Sequence, residues 1–370
     1  MVNDRAKDKI KICLVAISYG KGGAERSTSL LSQMLTDVGF AVTNVILTDR
    51  IDYEFSGELF NLGKDKKQPD LPYKRLQRFK KLREFFKREK FDLIIDNRPK
   101  NAWPRELFYL NYIYRQQKTV YVVRNFDLDN YLTDKDWMAR KMIDACVGLV
   151  GVSKEISATL NEKYQTDKFK SIYNPVEELP IIKPDISLPE NEYILFLGRL
   201  NSRLKNIPLL LEAYSLSGLK EKNIPLLMMG DGNPEQWTEK IKELNLETSV
   251  RFLPYDNQVG YYLKNAKFLA LSSRLEGFPR VLIESLSVGT PVVSVDCSSG
   301  PKEVVQHEYN GLLVPNYQPD LLAKAMVRMT EDEELHKTCK ANAQKSIAHL
   351  KKPVIANQWK NYINELLETH

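Results

Sequence analysis

Short β-branched and aliphatic runs alternate along this chain with longer stretches of helical period, the pattern that predicts parallel βαβ units. In the first half the apolar runs predict strands at Lys11–Ser18, Val42–Thr48, Asp92–Asp96, Thr119–Arg124, Val147–Val152 and Phe169–Tyr173. The second half restarts the pattern with Tyr193–Leu197, Leu226–Met229, Val250–Leu253, Lys267–Leu271, Pro291–Val295 and Gly311–Val314. Helical stretches follow at Pro319–Met329, Glu333–Leu350 and Pro353–Leu367. Between the halves, Asn174–Glu190 carries Pro175, Pro180, Pro184 and Pro189 with little helical period, which predicts a linker. The expected architecture is α/β: two Rossmann-like doubly wound domains at 1–175 and 191–345, a linker at 176–190 and a helical end at 346–370. Ligands of such domains gather at the carboxyl ends of the strands, here expected in a cleft that both domains face.

Composition agrees with that pattern. A chain of 370 residues is long enough for two domains, and 43% apolar residues is an ordinary globular makeup. No apolar run approaches the roughly 20 residues of a membrane span, so any membrane contact is expected to be peripheral. The run Ile10–Ile17 is interrupted by Lys11 and reads as a strand rather than a leader peptide. Cys13, Cys146, Cys297 and Cys339 lie far apart, with no C-x-x-C pair and no accompanying His cluster. Neither a disulfide framework nor a metal site is expected, and the cytoplasm is the expected compartment.

The formal net charge is +6, but residues 64–90 alone carry about +8, leaving the rest near −2. Within that segment Leu76, Phe79, Leu82 and Phe86 recur at helical spacing. They predict an amphipathic helix whose apolar stripe packs on the first domain and whose cationic face is a candidate for docking on an anionic membrane surface, the inner face of the cell membrane. Trp103, Phe108, Tyr109, Tyr112 and Tyr114 make a nearby aromatic stretch expected mainly in the core, with an acceptor channel as the alternative. No nucleic-acid-binding pattern accompanies the charge, so nucleic acid is not an expected partner.

Candidate chemistry sits after the predicted strands. The first runs into Gly20-Lys21-Gly22-Gly23-Ala24-Glu25-Arg26 and then a helix, where bare backbone N–H groups can meet a phosphate. Glu25 stands where G-x-G-x-x-G needs its last glycine, and no Gly-Lys-Ser/Thr is present, so dinucleotide and Walker-type binding lose support. A tight turn and an anion cradle both stay open. Arg199 and Lys205 follow strand Tyr193–Leu197, and two fixed cations there suit a diphosphate whose charge grows as it leaves. Gly230-Asp231-Gly232 offers close backbone approach after the next strand. Residues 274–284 place Glu276 at a strand mouth, Gly277-Phe278-Pro279 in a turn, and Glu284 one turn into a helix entered at Arg280. One carboxylate can meet a ligand at the helix entrance while the other reaches hydroxyls beside it, among the free N–H groups of the first turn. Taken singly, each of these residues is equally a surface ion pair or a solvated carboxylate.

Their order resembles the GT-B glycosyltransferases, and within them the retaining enzymes of family 4. The resemblance rests on Gly22-Gly23-Ala24-Glu25-Arg26, Gly198-Arg199 with Lys205, Gly230-Asp231-Gly232, Glu276 with seven residues before Glu284, and Asn310-Gly311-Leu312-Leu313-Val314-Pro315. It implies that Arg199 and Lys205 hold the donor diphosphate and stabilise the leaving group, and that Glu276 lies near the transferred sugar. It further implies that Gly277, Phe278, Pro279 and Arg280 surround that sugar or its phosphate, that Glu284 accepts from the nucleotide ribose, and that Gly22 and Gly23 close on the phosphates. The family works without a metal, the amino domain receives the acceptor, and the last helix crosses back to it. Asp127-Leu128-Asp129 spells the D-x-D of metal-dependent transferases but follows a strand of a different architecture, so it is read as coincidence. Where many relatives carry His at the end of the strand Thr119–Arg124, this chain has Arg124, which stays protonated and can bind a sugar oxygen or phosphate but not act as a base. Asp296-Cys297-Ser298-Ser299-Gly300-Pro301 is similar to a segment of bacterial transferases that add galactose or N-acetylhexosamines to polysaccharide, lipopolysaccharide and lipid-linked glycans. A strand–loop–helix connection capped by Ser298 or Ser299 is the plainer reading of it. The expected activity is transfer of a hexose or N-acetylhexosamine from a UDP-sugar to a glycan or lipid-linked acceptor. A UDP-sugar epimerase or hydrolase of the same fold, or a silent sugar-nucleotide binder, are the alternatives.

Overall fold

The computed structural model describes residues 9–66, 70–189, 192–256 and 258–369. Lys67 of the basic segment, Glu190 of the expected linker and Asn191 lie outside the described residues. The chain divides into two compact units, Met1–Pro175 with Lys352–His370, and Val176–Lys351.

In the first unit, β1 (Lys11–Ala16), β2 (Ala41–Ile46), β3 (Glu58–Asn61), β4 (Leu93–Asp96), β5 (Thr119–Val123), β6 (Gly148–Gly151) and β7 (Phe169–Ser171) form one parallel sheet. Its order is β3-β2-β1-β4-β5-β6-β7. In the second unit, β8 (Ile194–Leu197), β9 (Leu226–Met229), β10 (Val250–Leu253), β11 (Phe268–Leu271), β12 (Val292–Asp296) and β13 (Gly311–Pro315) form another, in the order β10-β9-β8-β11-β12-β13. Strands covered by helices on both faces must be apolar on both, and accordingly every residue of β4, β5, β8, β9 and β11 is buried. The second core is built by Ile194, Phe196, Leu226, Met228, Phe268 and Val293 against helices Ile207–Leu216 and Pro319–Glu331.

Both sheets start in the middle and wind outward in two directions. The reversals fall between β1 and β4 and between β8 and β11, and such switch points leave a crevice at the strands' carboxyl ends.

Several elements depart from the sequence reading. β3 was not foreseen, because its four residues alternate too weakly; only pairing with β2, Thr43 opposite Glu58 through Ile46 opposite Asn61, makes it a strand. Residues 176–189 hold no helix or named strand, yet they lie within the second unit, where the Val176 N–H donates to the Leu350 carbonyl at 2.8 Å. The last helix is Lys352–Thr369, which lies with the first unit: Lys352 pairs with Asp37 at 3.0 Å, and Trp359, Tyr362 and Ile363 are buried. The basic helix, Pro72–Glu89, buries Leu82, Phe85 and Phe86 but leaves Leu76 57% exposed. Its apolar stripe is therefore covered only over its second half. Among the aromatics after it, Tyr109 and Tyr114 are buried, whereas Trp103 is exposed and packs edge-on against Trp137.

Candidate active site

In the second unit the residues singled out from the sequence collect on loops flanking the β8/β11 switch point. The β8 loop must run close beside the β9 loop, because the Leu200 N–H donates to the Asp231 carbonyl at 2.7 Å. Gly230 permits this approach: a Cβ there would stand 1.8 Å from the Gly198 carbonyl oxygen. The loop then turns through a short 3-10 segment, Arg203–Lys205, and delivers Lys205 toward the β11 loop. There the Lys205 ammonium donates to Glu276 Oε1 at 2.7 Å, across 71 residues of sequence. The Ser273 hydroxyl donates to the same oxygen at 2.7 Å, and the Ser272 hydroxyl to the Lys205 carbonyl at 2.9 Å. Arg199 is exposed and makes no side-chain hydrogen bond or ion pair among the described residues. One anchored cation thus meets an anchored carboxylate, and the exposed Arg199 lies on the same β8 loop as that cation.

The turn carrying Glu276 is braced from behind. Its N–H donates to the Ser298 carbonyl at 2.8 Å, the Ser299 N–H returns to the Glu276 carbonyl at 3.2 Å, and the Ser299 hydroxyl donates to the Gly277 carbonyl at 2.9 Å. Ser298 and Ser299 therefore do not cap the following helix, whose N-cap is Gly300 with no side-chain cap. Cys297, buried beside them, is inert: burial first, then the Glu276 charge, push its thiol up to about 12. Gly277, Phe278 and Pro279 are buried and lead into helix Arg280–Ser287, whose entrance has no side-chain cap. Glu284 is 6% exposed, less than a solvated helix carboxylate would be. Arg280 reaches back to it at 3.2 Å and to Glu177 at 2.7 Å.

The first unit shows a comparable edge. Gly22 sits at φ 151°, and a Cβ on it would meet the Glu25 carboxylate at 2.3 Å, so the turn into helix Gly23–Asp37 depends on glycine. Arg124, just past β5, is gripped by two amide oxygens, Asn97 Oδ1 at 2.6 Å and Asn174 Oδ1 at 3.0 Å. Asn97 is held by a loop anchored in a wholly buried charge cluster. Arg98 pairs with Asp96 at 2.7 Å and Glu106 at 3.1 Å, while the Lys100 ammonium donates to the backbone carbonyls of Arg98 and Asp96 at 2.6 and 3.2 Å. Burial alone would raise the Asp96 carboxyl, but the Arg98 and Lys100 charges outweigh it and hold it below its ordinary value. Burial lowers the Lys100 ammonium to about 8, partly opposed by Asp96. Asp127 and Asp129 are exposed at the start of the short helix Leu128–Leu132, and among the described residues no group of three or more His, Cys, Asp or Glu could hold a metal.

Sequence reasoning missed Ser273, Asn97, Asn174 and Glu177. Ser273 lies in a Ser-Ser step directly after a strand and Asn174 directly after the last strand of the first half, and those positions were readable as loop ends. Nothing local marks Asn97 or Glu177, whose partners are 27 and 103 residues away.

Residues 180–346 match the family Glycosyl transferases group 1. A Campylobacter jejuni N-acetylgalactosamine-N,N'-diacetylbacillosaminyl-diphospho-undecaprenol 4-alpha-N-acetylgalactosaminyltransferase is 28% identical over 371 residues, covering 95% of this chain and 99% of that protein. An uncharacterized glycosyltransferase of Haemophilus influenzae is 31% identical over 195 residues, which span 52% of this chain and about half, 54%, of that protein. The crystal structure of Anabaena HepE in complex with UDP superposes with a TM-score of 0.76 at 18% identity, covering 96% of this chain and 100% of that one, a likeness of fold.

Proposed function

With its second unit a Glycosyl transferases group 1 domain, the chain is a glycosyltransferase of the GT-B fold, and from that premise we propose that it transfers a hexosyl or N-acetylhexosaminyl group from a UDP-sugar to a lipid-linked or polysaccharide acceptor, with retention of configuration and without a metal. The observation that carries the reading is the Lys205–Glu276 pair at the β8/β11 switch point, with Arg199 on the same β8 loop as Lys205. The chemistry asks for cations where the leaving diphosphate gains charge. Lys205 and Arg199 supply them, and Glu276 fixes the ammonium while its carboxylate accepts from a hydroxyl of the transferred sugar. The N–H groups at the uncapped entrance of helix Arg280–Ser287 offer further donors, and Glu284 accepts from the ribose diol. Same-face attack assisted by the leaving phosphate needs no protein base, consistent with Arg124 in place of a titrating residue. In the first unit the Gly22-Gly23 turn and the doubly held Arg124 bind phosphate or sugar oxygens, a role that fits an acceptor carrying a diphosphate. The N-acetylgalactosaminyltransferase relative, named for a diphospho-undecaprenol acceptor, supports the lipid-linked class.

Peripheral docking on anionic lipid belongs to the same reading. Among the described residues no helix is long and apolar enough to cross a membrane. Arg78 and Lys81 are committed to Asp70 and Asp65, and Arg88 to Glu89. The exposed Leu71, Tyr73 and Leu76, with the exposed Lys87 of the same helix, form the docking face instead. Cosedimentation with vesicles containing anionic lipid should fall for Tyr73→Glu with Leu76→Glu; unchanged binding rejects this face.

The test of the activity is a thermal-shift screen with UDP, GDP and ADP sugars, followed by mass spectrometry of reactions with lipid-linked acceptors. A UDP-sugar that stabilises the chain and a product one sugar heavier support the proposal. Stabilisation with donor turnover but no acceptor product indicates an epimerase or hydrolase, and binding without turnover a silent binder.

A further inference from the structure

We propose that the first unit carries a second binding site, taking a small hydroxylated phosphomonoester, at the amino ends of its strands. A cavity of about 590 Å³ opens there, within the size range of small-molecule sites. Thr119, the first residue of β5, lines it, whereas Arg124 follows the last residue of the same strand, so the cavity and the Arg124 edge lie at opposite ends of the sheet. Leu110 and Asn111 bring the π-helical turn Tyr109–Ile113 into its wall, a rare turn that recurs at functional sites.

The lining is chemically one-sided. Arg115 and Lys141 bring positive charge, neither makes an ion pair or side-chain hydrogen bond among the described residues, and no Asp or Glu among them lines the cavity. Two cations without a counter-charge suit a phosphomonoester, which is close to dianionic at neutral pH. Asn111, Gln116 and Gln117 add side-chain amides that also have no hydrogen-bond partner among the described residues. Amides both donate and accept, which suits the hydroxyls of the same ligand. Exposed side chains alone would describe any polar surface, but Tyr121 is not exposed. It lies in the middle of β5, is 2% exposed and lines the cavity, yet its hydroxyl makes no hydrogen bond among the described residues. Tyr114, in the same lining, differs: its hydroxyl donates to Asp96 Oδ2 at 3.0 Å. A buried hydroxyl left without a partner is destabilising, and a ligand oxygen in the cavity supplies the missing bond.

Isothermal titration of the full chain with ribose 5-phosphate, ribose and inorganic phosphate tests this. The ester should bind more tightly than either of its parts. Lys141→Ala and Arg115→Ala should each weaken it about tenfold, the scale of one charge-assisted hydrogen bond. Tyr121→Phe discriminates most sharply, because it removes only an unpartnered hydroxyl: the variant should melt at or above the wild-type temperature and still bind the ester about fivefold more weakly. Saturating UDP should leave the affinity for ribose 5-phosphate unchanged. No binding of the ester up to about 10 mM, wild-type affinity in Tyr121→Phe, or displacement by UDP each overturns the proposal. Cosedimentation with phosphatidic acid vesicles that Lys141→Ala abolishes, without binding of the soluble ester, assigns the cavity to a lipid headgroup and overturns the small-molecule reading.

Discussion

Lys205→Ala separates what the Lys205–Glu276 pair does for the fold from what it does for catalysis. At 2.7 Å and an effective dielectric of about 20, two unit charges attract by about 6 kcal/mol before hydration is charged against them. With side chains 19 and 13% exposed, the pair lies between exposed pairs worth about 1 kcal/mol or less and wholly buried pairs whose breakage costs about 3–5 kcal/mol. Ser273 continues to donate to Glu276 in the variant, so the carboxylate is not stranded. The expected loss of stability is therefore about 1–2 kcal/mol, a fall in Tm of a few degrees. The expected loss of turnover is far larger. Removing one preorganised donor to a developing anion lowers kcat about 10²–10³-fold, or about 3–4 kcal/mol of transition-state stabilisation. The assay is UDP release under saturating donor and acceptor, beside thermal melts followed by circular dichroism. Lys205→Arg should restore part of the rate. A variant that melts a few degrees early but turns over within threefold of wild type would refute the reasoning, and would make Lys205 a brace for the Glu276 turn.

Four further outcomes are expected. Arg98→Met should destabilise the first unit by about 3–5 kcal/mol in urea unfolding, because it removes the ion-pair partner of the buried Asp96 carboxylate, whereas Glu106 keeps Arg105 at 2.7 Å; a loss below 1 kcal/mol would contradict the cluster. The Lys100 ammonium, at about 8 in the fold against 10.5 when unperturbed, means that the unfolded chain holds more protons between those values. Stability should therefore gain a rising contribution from pH 8 toward 10 that Lys100→Met removes, and an identical pH profile for the variant would sink the assignment. Native protein should resist iodoacetamide at pH 8, since all four cysteines are buried free thiols and Cys297 stays protonated; rapid labelling at Cys297 before unfolding would contradict its burial. Gly230→Ala must push the β8 and β9 loops apart, and should cost about 2–3 kcal/mol and most of the UDP affinity; wild-type binding would show that their close approach is dispensable.

The sequence carried the local part of this protein well. Runs buried on both faces identify themselves, as ILFL and FLAL do, and the residues just beyond them are at strand ends by necessity. Arg199, Lys205 and Glu276 could thus be placed at the mouths of strands without any knowledge of strand order. What the linear pattern could not supply was adjacency. That β8 neighbours β11 follows from how the sheet winds, and only this puts Lys205 within 2.7 Å of Glu276. The same holds for Arg124 between Asn97 and Asn174, and for Glu177 on Arg280.

Periodicity and composition leave two further points to the fold. Leu76 continues a helical stripe, yet stands 57% exposed among the described residues. Asp96-Asn97-Arg98-Pro99-Lys100 has the composition of a solvated loop, yet Asp96, Arg98 and Lys100 are fully buried, with Arg98 paired to Asp96 and Glu106 and the Lys100 ammonium donating to the Asp96 and Arg98 carbonyls. Periodicity reports which side of an element is apolar. Whether that side is covered depends on contacts between residues distant in sequence, and those are decided only when the sheets have formed.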